Sequence, residues 1–169
     1  MVLRFLSSTA AEIGSRGDEG ELLLLQSQGV SVAIQHPRMT QEHAMSLLRR
    51  LSEASPPHSL FMKTVMQAVQ KFPLLVGWTL EQLLPKLVQN LVWKNPILWK
   101  GFIVFCHAAL DQGSCAVLVR LPPEVFKTLL SEDPRFLPVL RKYAKEHSTR
   151  VPNLIRRVLR EDTNAEKKK

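Results

Sequence analysis

Eleven prolines in 169 residues interrupt a chain whose apolar residues otherwise recur at helical spacing. Proline has no amide donor and its ring clashes with the preceding turn. It is therefore tolerated in the first turn of a helix but costs about 3 kcal/mol or more in the interior. It also pushes the residue before it toward extended geometry. A chain punctuated in this way can form only short helices, and the apolar phase between prolines says which face of each one turns inward.

Thr40 can cap a first clear helix, with Ala44, Leu47, Leu48 and Leu51 at i, i+3, i+4 and i+7 and Ser55-Pro56-Pro57 as its stop. A second carries Phe61, Val65, Ala68, Val69 and Phe72 on one face and ends near Pro73. Leu80, Leu83, Leu84, Leu87, Val88 and Leu91 mark a third, with Pro85 inside the pattern, so a kink or a helix start near Glu81-Gln82 is expected. Asn95-Pro96 opens a fourth, lined by Trp99, Phe102, Ile103, Cys106 and Leu110. Ser114 can cap a short helix bearing Val117, Leu118 and Leu121. Pro122-Pro123 starts one with Phe126, Leu129 and Leu130, and Asp133-Pro134 one with Leu137, Leu140 and Tyr143. Val151-Pro152-Asn153 precedes the last, with Leu154, Ile155, Val158 and Leu159 inward.

The expected fold is all-α: an irregular stack of short antiparallel helices, HEAT-like in the manner of an α-solenoid. The proline spacings are uneven, so no strict repeat is implied. Residues 1–39 read differently. Residues 14–20 hold three glycines and alternating charges, a loop composition. Residues 29–34 alternate like a strand with nothing to pair with, and are expected to be irregular or weakly helical, with helix content falling before Thr40. The first eleven residues have some features of a mitochondrial presequence, but Glu12, Asp18, Glu19 and Glu21 arrive too early, and a divergent or truncated helix is the favoured reading. The domain is thus expected over residues 40–160, with 161–169 a disordered basic tail.

The length suits one domain with a sizeable core, burying roughly 70% of the surface its unfolded chain exposes. No apolar run reaches the ~18–20 residues of a membrane span. The net charge of +8 is concentrated at the end: residues 141–169 hold ten Lys/Arg and four Asp/Glu. Such an end can attract nucleic acid or an acidic protein, or simply be a solvated helix face.

Nothing in the residues assembles a catalytic or metal constellation. The five histidines are scattered and none has a second ligand at His-x-x-x-His spacing. Cys106 and Cys115 form no Cys-x-x-Cys and read as buried thiols. Cys106 and His107 are adjacent, so on a helix they point about 100° apart, a poor nucleophile–base geometry. No enzyme activity, cofactor or metal is expected. Trp78, Trp93 and Trp99 are core anchors on the commoner reading. On the other, Trp93-Lys94 and Trp99-Lys100 form an apolar ridge with a charged rim, a face for a partner peptide bearing acidic residues.

The order of landmarks resembles the symplekin C-terminal domain family, the scaffold of the pre-mRNA 3′-end cleavage and polyadenylation machinery. The resemblance rests on the stretch from Phe61 to Phe72-Pro73, and on Val92-Trp93-Lys94 followed by Pro96, Trp99 and Gly101-Phe102. Ser114 with Val117, Leu118, Leu121 and Pro122, and then Pro152-Asn153, complete it. It implies a helical, catalytically inactive scaffold in the nucleus. The implied partners are the C-terminal regions of the metallo-β-lactamase-type cleavage endonuclease and its inactive paralogue, with tentative partner contacts at Trp93, Lys94, Trp99 and Lys100. The runner-up from the residues alone is a basic helical domain that binds RNA through residues 141–160.

Overall fold

The computed structural model describes residues 29–53 and 59–166, which are helical with no strand among them. The N-terminal loop and presequence expectations, and the Ser55-Pro56-Pro57 stop, lie outside the described residues. Two compact units divide the chain, Met1–Leu75 and Val76–Lys169.

In the first unit, residues 29–35 are helical, so helix begins well before Thr40, and the strand-like alternation there misleads. The reason is tertiary. Val30 and Ile34, one turn apart, are buried, while Val32 stays 69% exposed. Lys71 then donates from Nζ to the Ile34 and His36 carbonyls, both at 2.8 Å, closing the end of this helix with a cation. Ser31 Oγ donates to Gln67 Oε1 at 2.7 Å and adds a second tie. Helix α1 spans Gln41–Ser52, and Thr40 caps it as its side chain implies, accepting from the His43 amide at 3.2 Å. It buries Ala44, Leu48 and Ser52. Helix α2, Phe61–Lys71, packs on α1 and buries Phe61, Met62, Thr64, Val65 and Ala68. Phe72 leaves the helix at φ −125°, ψ 81°, the extended geometry that Pro73 demands of its predecessor.

The second unit resolves the Pro85 question by a local change of helix type. Helix α3 (Leu75–Trp78) runs into a π-helical turn at Thr79–Leu83, and then into α4 (Leu84–Gln89) with Pro85 in its first turn. The Leu84 amide bonds to the Thr79 carbonyl, an i→i+5 step. One extra residue in the turn moves the carbonyls that the Pro85 ring would strike and places the missing donor where a helix start needs none. Leu80, Leu83, Leu84, Leu87 and Val88 face inward as their spacing predicts. Leu91 does not: it sits at φ 56°, ψ 50° and is 39% exposed, ending the helix in a left-handed residue where glycine is usual. A 3-10 turn, Val92–Lys94, leads to α5 (Pro96–Ala108).

After α5 come a 3-10 turn (Leu110–Gln112), then α6 (Cys115–Leu118), α7 (Pro123–Glu132), α8 (Phe136–Glu146) and α9 (Asn153–Glu166). Ser114 does not cap α6 with its side chain. Its Oγ instead donates to the Cys106 carbonyl at 2.7 Å, tying the turn to the end of α5. Phe126, Leu129, Leu137, Leu140, Ile155, Val158 and Leu159 are buried as expected, but Leu154 is 61% exposed. The α9 stripe runs through Ile155, Val158 and Leu159, leaving Leu154 on the outer flank. Helix α9 packs on both α7 and α8, and α8 on α6. This neighbour and next-neighbour pattern is met in many irregular helical folds and does not single out a solenoid. The last helix runs to Glu166, past the position 160 at which the sequence reading ended the domain. Among the described residues no helix is long and apolar enough to cross a membrane.

Candidate protein-docking face

Asn95 positions the site. Its Oδ1 accepts from the Ile97 and Leu98 amides at 3.1 Å each, while Pro96 takes the first helical position, where an amide would have no partner. The start of α5 is thus held by side chain and ring together, and the phase of the helix follows from it. The sequence PILWKGFIVFCHA is apolar almost all round. Such a helix buries more than one stripe or leaves apolar surface bare. Both happen. Leu98, Trp99, Phe102, Phe105 and Cys106 are buried, whereas Ile97 and Val104 stand 60% and 51% exposed. Those two lie two turns apart with exposed Lys100 between them.

Trp99 is in the core, 7% exposed, with its ring stacked on Phe102 at 5.5 Å and 15°. Its indole N–H reaches out to donate to Glu132 Oε2 at 3.0 Å. That bond marks the wall of a half-open cleft of about 510 Å³, formed between α5 and the α7–α8 junction. Pro96, Trp99, Ile103 and Val104 supply its apolar lining, and Lys100, His107, Glu132, Asp133 and Arg135 its polar edge. Asp133 is gripped by Arg135 through two 2.8 Å bonds, Nε to Oδ1 and Nη2 to Oδ2, with the Arg135 amide also donating to Oδ1 at 3.2 Å. The side-chain bond from Arg135, foremost, holds the Asp133 carboxyl below the usual carboxylate range. The His107 ring meets Phe136 edge-on, 5.5 Å between centroids, and closes the far end.

Of the four residues singled out from the sequence, the fold brings Trp99 and Lys100 into this cleft. Trp93 is half-buried and Lys94 exposed on the preceding turn, and neither lines it. Trp99 presents its edge rather than a free face. Ile97, Val104 and the Glu132–Asp133–Arg135 group were missed. The signal for the first two was present, since a helix apolar almost all round must either be packed on several sides or leave apolar surface bare. The third had none, because it lies more than thirty positions away in the chain.

The cysteines carry no reactive geometry. Cys106 and Cys115 are free and buried. Burial raises both thiols, that of Cys106 far above its ordinary range with Cys115 adding to the effect. Among the described residues no three His, Cys, Asp or Glu side chains come together as a metal site.

The fold defines the chain as an all-helical protein among its described residues, with exposed apolar and charged side chains adjacent on α5. A family model described as "Symplekin tight junction protein C terminal" matches residues 25–133. That is most of the chain, and the protein belongs to this family, a family of scaffolds. The match begins ahead of Thr40, within reach of the helix over 29–35, and it contains every residue of the cleft except Arg135. No solved structure matches the chain.

Proposed function

We propose that the chain is a non-catalytic scaffold module of pre-mRNA 3′-end cleavage and polyadenylation, working in the nucleus. Its partners on this reading are the C-terminal regions of the metallo-β-lactamase-type endonuclease and its inactive paralogue. Family membership supports the scaffold role. The observation that carries the docking surface is the outer face of α5, where Ile97 and Val104 are exposed on either side of Lys100, next to the cleft floored by Trp99. Two exposed aliphatics on one helix face suit an apolar helix from a partner. Lys94 and Lys100 suit acidic residues on its flanks.

The test is binding of the recombinant chain to the C-terminal segments of the endonuclease pair. Ile97→Asp with Val104→Asp is expected to abolish it at a modest cost to the thermal melt, because both side chains are already more than half exposed. Lys94→Glu with Lys100→Glu is expected to slow association, through lost electrostatic steering, more than it speeds dissociation. Unchanged binding by both double variants would remove this face from the interface.

A further inference from the structure

A dense run of cations lies on α8 and α9 and the turn between them, beyond the segment the family model matches. Between residues 141 and 160 there are seven Lys/Arg and one acid, Glu146. The fold gathers several of these cations. Arg141 Nε donates to the Leu159 carbonyl at 3.2 Å, so the Arg141 side of α8 borders the later turns of α9. At about 100° per residue, Lys145 shares that side of α8, and Arg156, Arg157 and Arg160 form one continuous arc on α9. The arc starts at Arg156, one turn from Leu159 at the border with α8, and runs from there away from the buried stripe of Ile155, Val158 and Leu159. Lys145, Arg157 and Arg160 are exposed and Arg156 half-buried, beside the helix start where it donates to Asn153 Oδ1.

We propose that this α8–α9 seam binds a nucleic-acid phosphate backbone. Arginine supplies most of the charge, and its planar fork matches phosphate oxygens two at a time. Arg141 and Lys145 on α8, and Arg156 and Arg160 on α9, stand about 6 Å apart along their axes, a line of charge rather than a point. A membrane surface would need apolar side chains beside the basic ones. Among the described residues of α8 and α9 the one exposed large apolar side chain is Leu154, one turn from Arg157, and a single aliphatic is far short of the apolar face that interfacial insertion requires. The proposal is independent of the docking face on α5.

The probe is a fluorescein-labelled single-stranded oligouridylate of about 12 nucleotides, followed by anisotropy with the full chain. If five cations meet phosphates, log affinity should fall with log salt at a slope of about −3.5, roughly a 100-fold loss between about 50 and about 200 mM. Replacing Lys145, Arg156, Arg157 and Arg160 with Gln should weaken binding at least about tenfold at low salt and leave a slope near about −0.7, from Arg141 alone. A control replaces the exposed Arg38, Arg49, Lys63 and Arg120 with Gln, an equal change in net charge elsewhere. It should stay within about threefold of the parent, since cations that meet no phosphate add nothing to the slope. Equal losses in the two variants would overturn the proposal, reducing the effect to net charge. So would a flat salt dependence, or displacement of the oligonucleotide by polyglutamate at matched charge.

Discussion

Truncating Trp99 to alanine tests whether α5 is seated as described. Its side chain is 7% exposed. A buried tryptophan removes ~150–250 Å² from water, which at ~25 cal/mol per Å² amounts to about 4–6 kcal/mol before the alanine methyl and partial collapse are allowed for. Core Phe or Trp truncations accordingly cost ~3–5 kcal/mol. Of that, the offset stack on Phe102 at 5.5 Å accounts for ~0.5–1.5 kcal/mol. The bond to Glu132 is a share of similar size, a net ~0.5–1.5 kcal/mol, because that carboxylate is exposed and exchanges the bond for water. Trp99→Phe, which keeps a stacking ring and loses the donor, separates the two contributions and is expected to cost about 1–2 kcal/mol. The assay is urea unfolding followed by far-ultraviolet circular dichroism. With a slope of about 2 kcal/mol per molar, Trp99→Ala should lower the midpoint by about 1.5–2.5 M at unchanged slope. A midpoint shift below about 0.3 M would refute the packing of α5 on the α7 end, since no buried tryptophan leaves a closed core at so little cost.

Two further outcomes follow from particular side chains. Thr79 is fully buried in the π-helical turn, and its hydroxyl has no hydrogen-bond partner among the described residues. Thr79→Val is expected to raise stability by about 1 kcal/mol, read as a higher urea midpoint. Asp133 has its folded pKa depressed, chiefly by the Arg135 side chain. Its contribution is therefore present above the unfolded aspartate pKa of about 3.9 and is lost as pH falls through the lower folded value. The melting temperature of Asp133→Asn should lie below that of the parent at pH 7. The gap should narrow progressively below about pH 4, and a gap constant with pH would contradict the ion pair.

Much of the helical content was legible because its causes are local. Thr40 and Asn95 cap because each carries an acceptor at the right distance from the next amides, and both do so in the structure. Pro96 and Pro123 open helices because a first-turn residue needs no donor. The buried faces of α4, α7 and α8 follow from 3.6-residue periodicity alone. The helical repeat also places Cys106 on the buried side of α5, though not its neighbourhood with Cys115.

What the tertiary structure decided are the points where local preference was balanced or silent. Residues 29–35 alternate like a strand, yet Lys71 and Gln67, more than thirty positions on, hold them as a helix. Leu91 is apolar and in phase with its stripe, but the chain turns there in a left-handed residue and leaves it exposed, while Leu154 falls at the edge of the α9 stripe and stays in water. Ser114 carries a side chain able to cap, but its hydroxyl donates to the Cys106 carbonyl and accepts from no α6 amide. Trp99 meets Glu132 across 33 positions. The sequence by itself determined where helices can start, where they must stop and which stripes prefer to leave water, since those are properties of the backbone and of nearest neighbours. Which apolar face goes uncovered, and which charges gather at a cleft or a seam, depended on helices meeting at a distance, and single-chain periodicity carries no information on that.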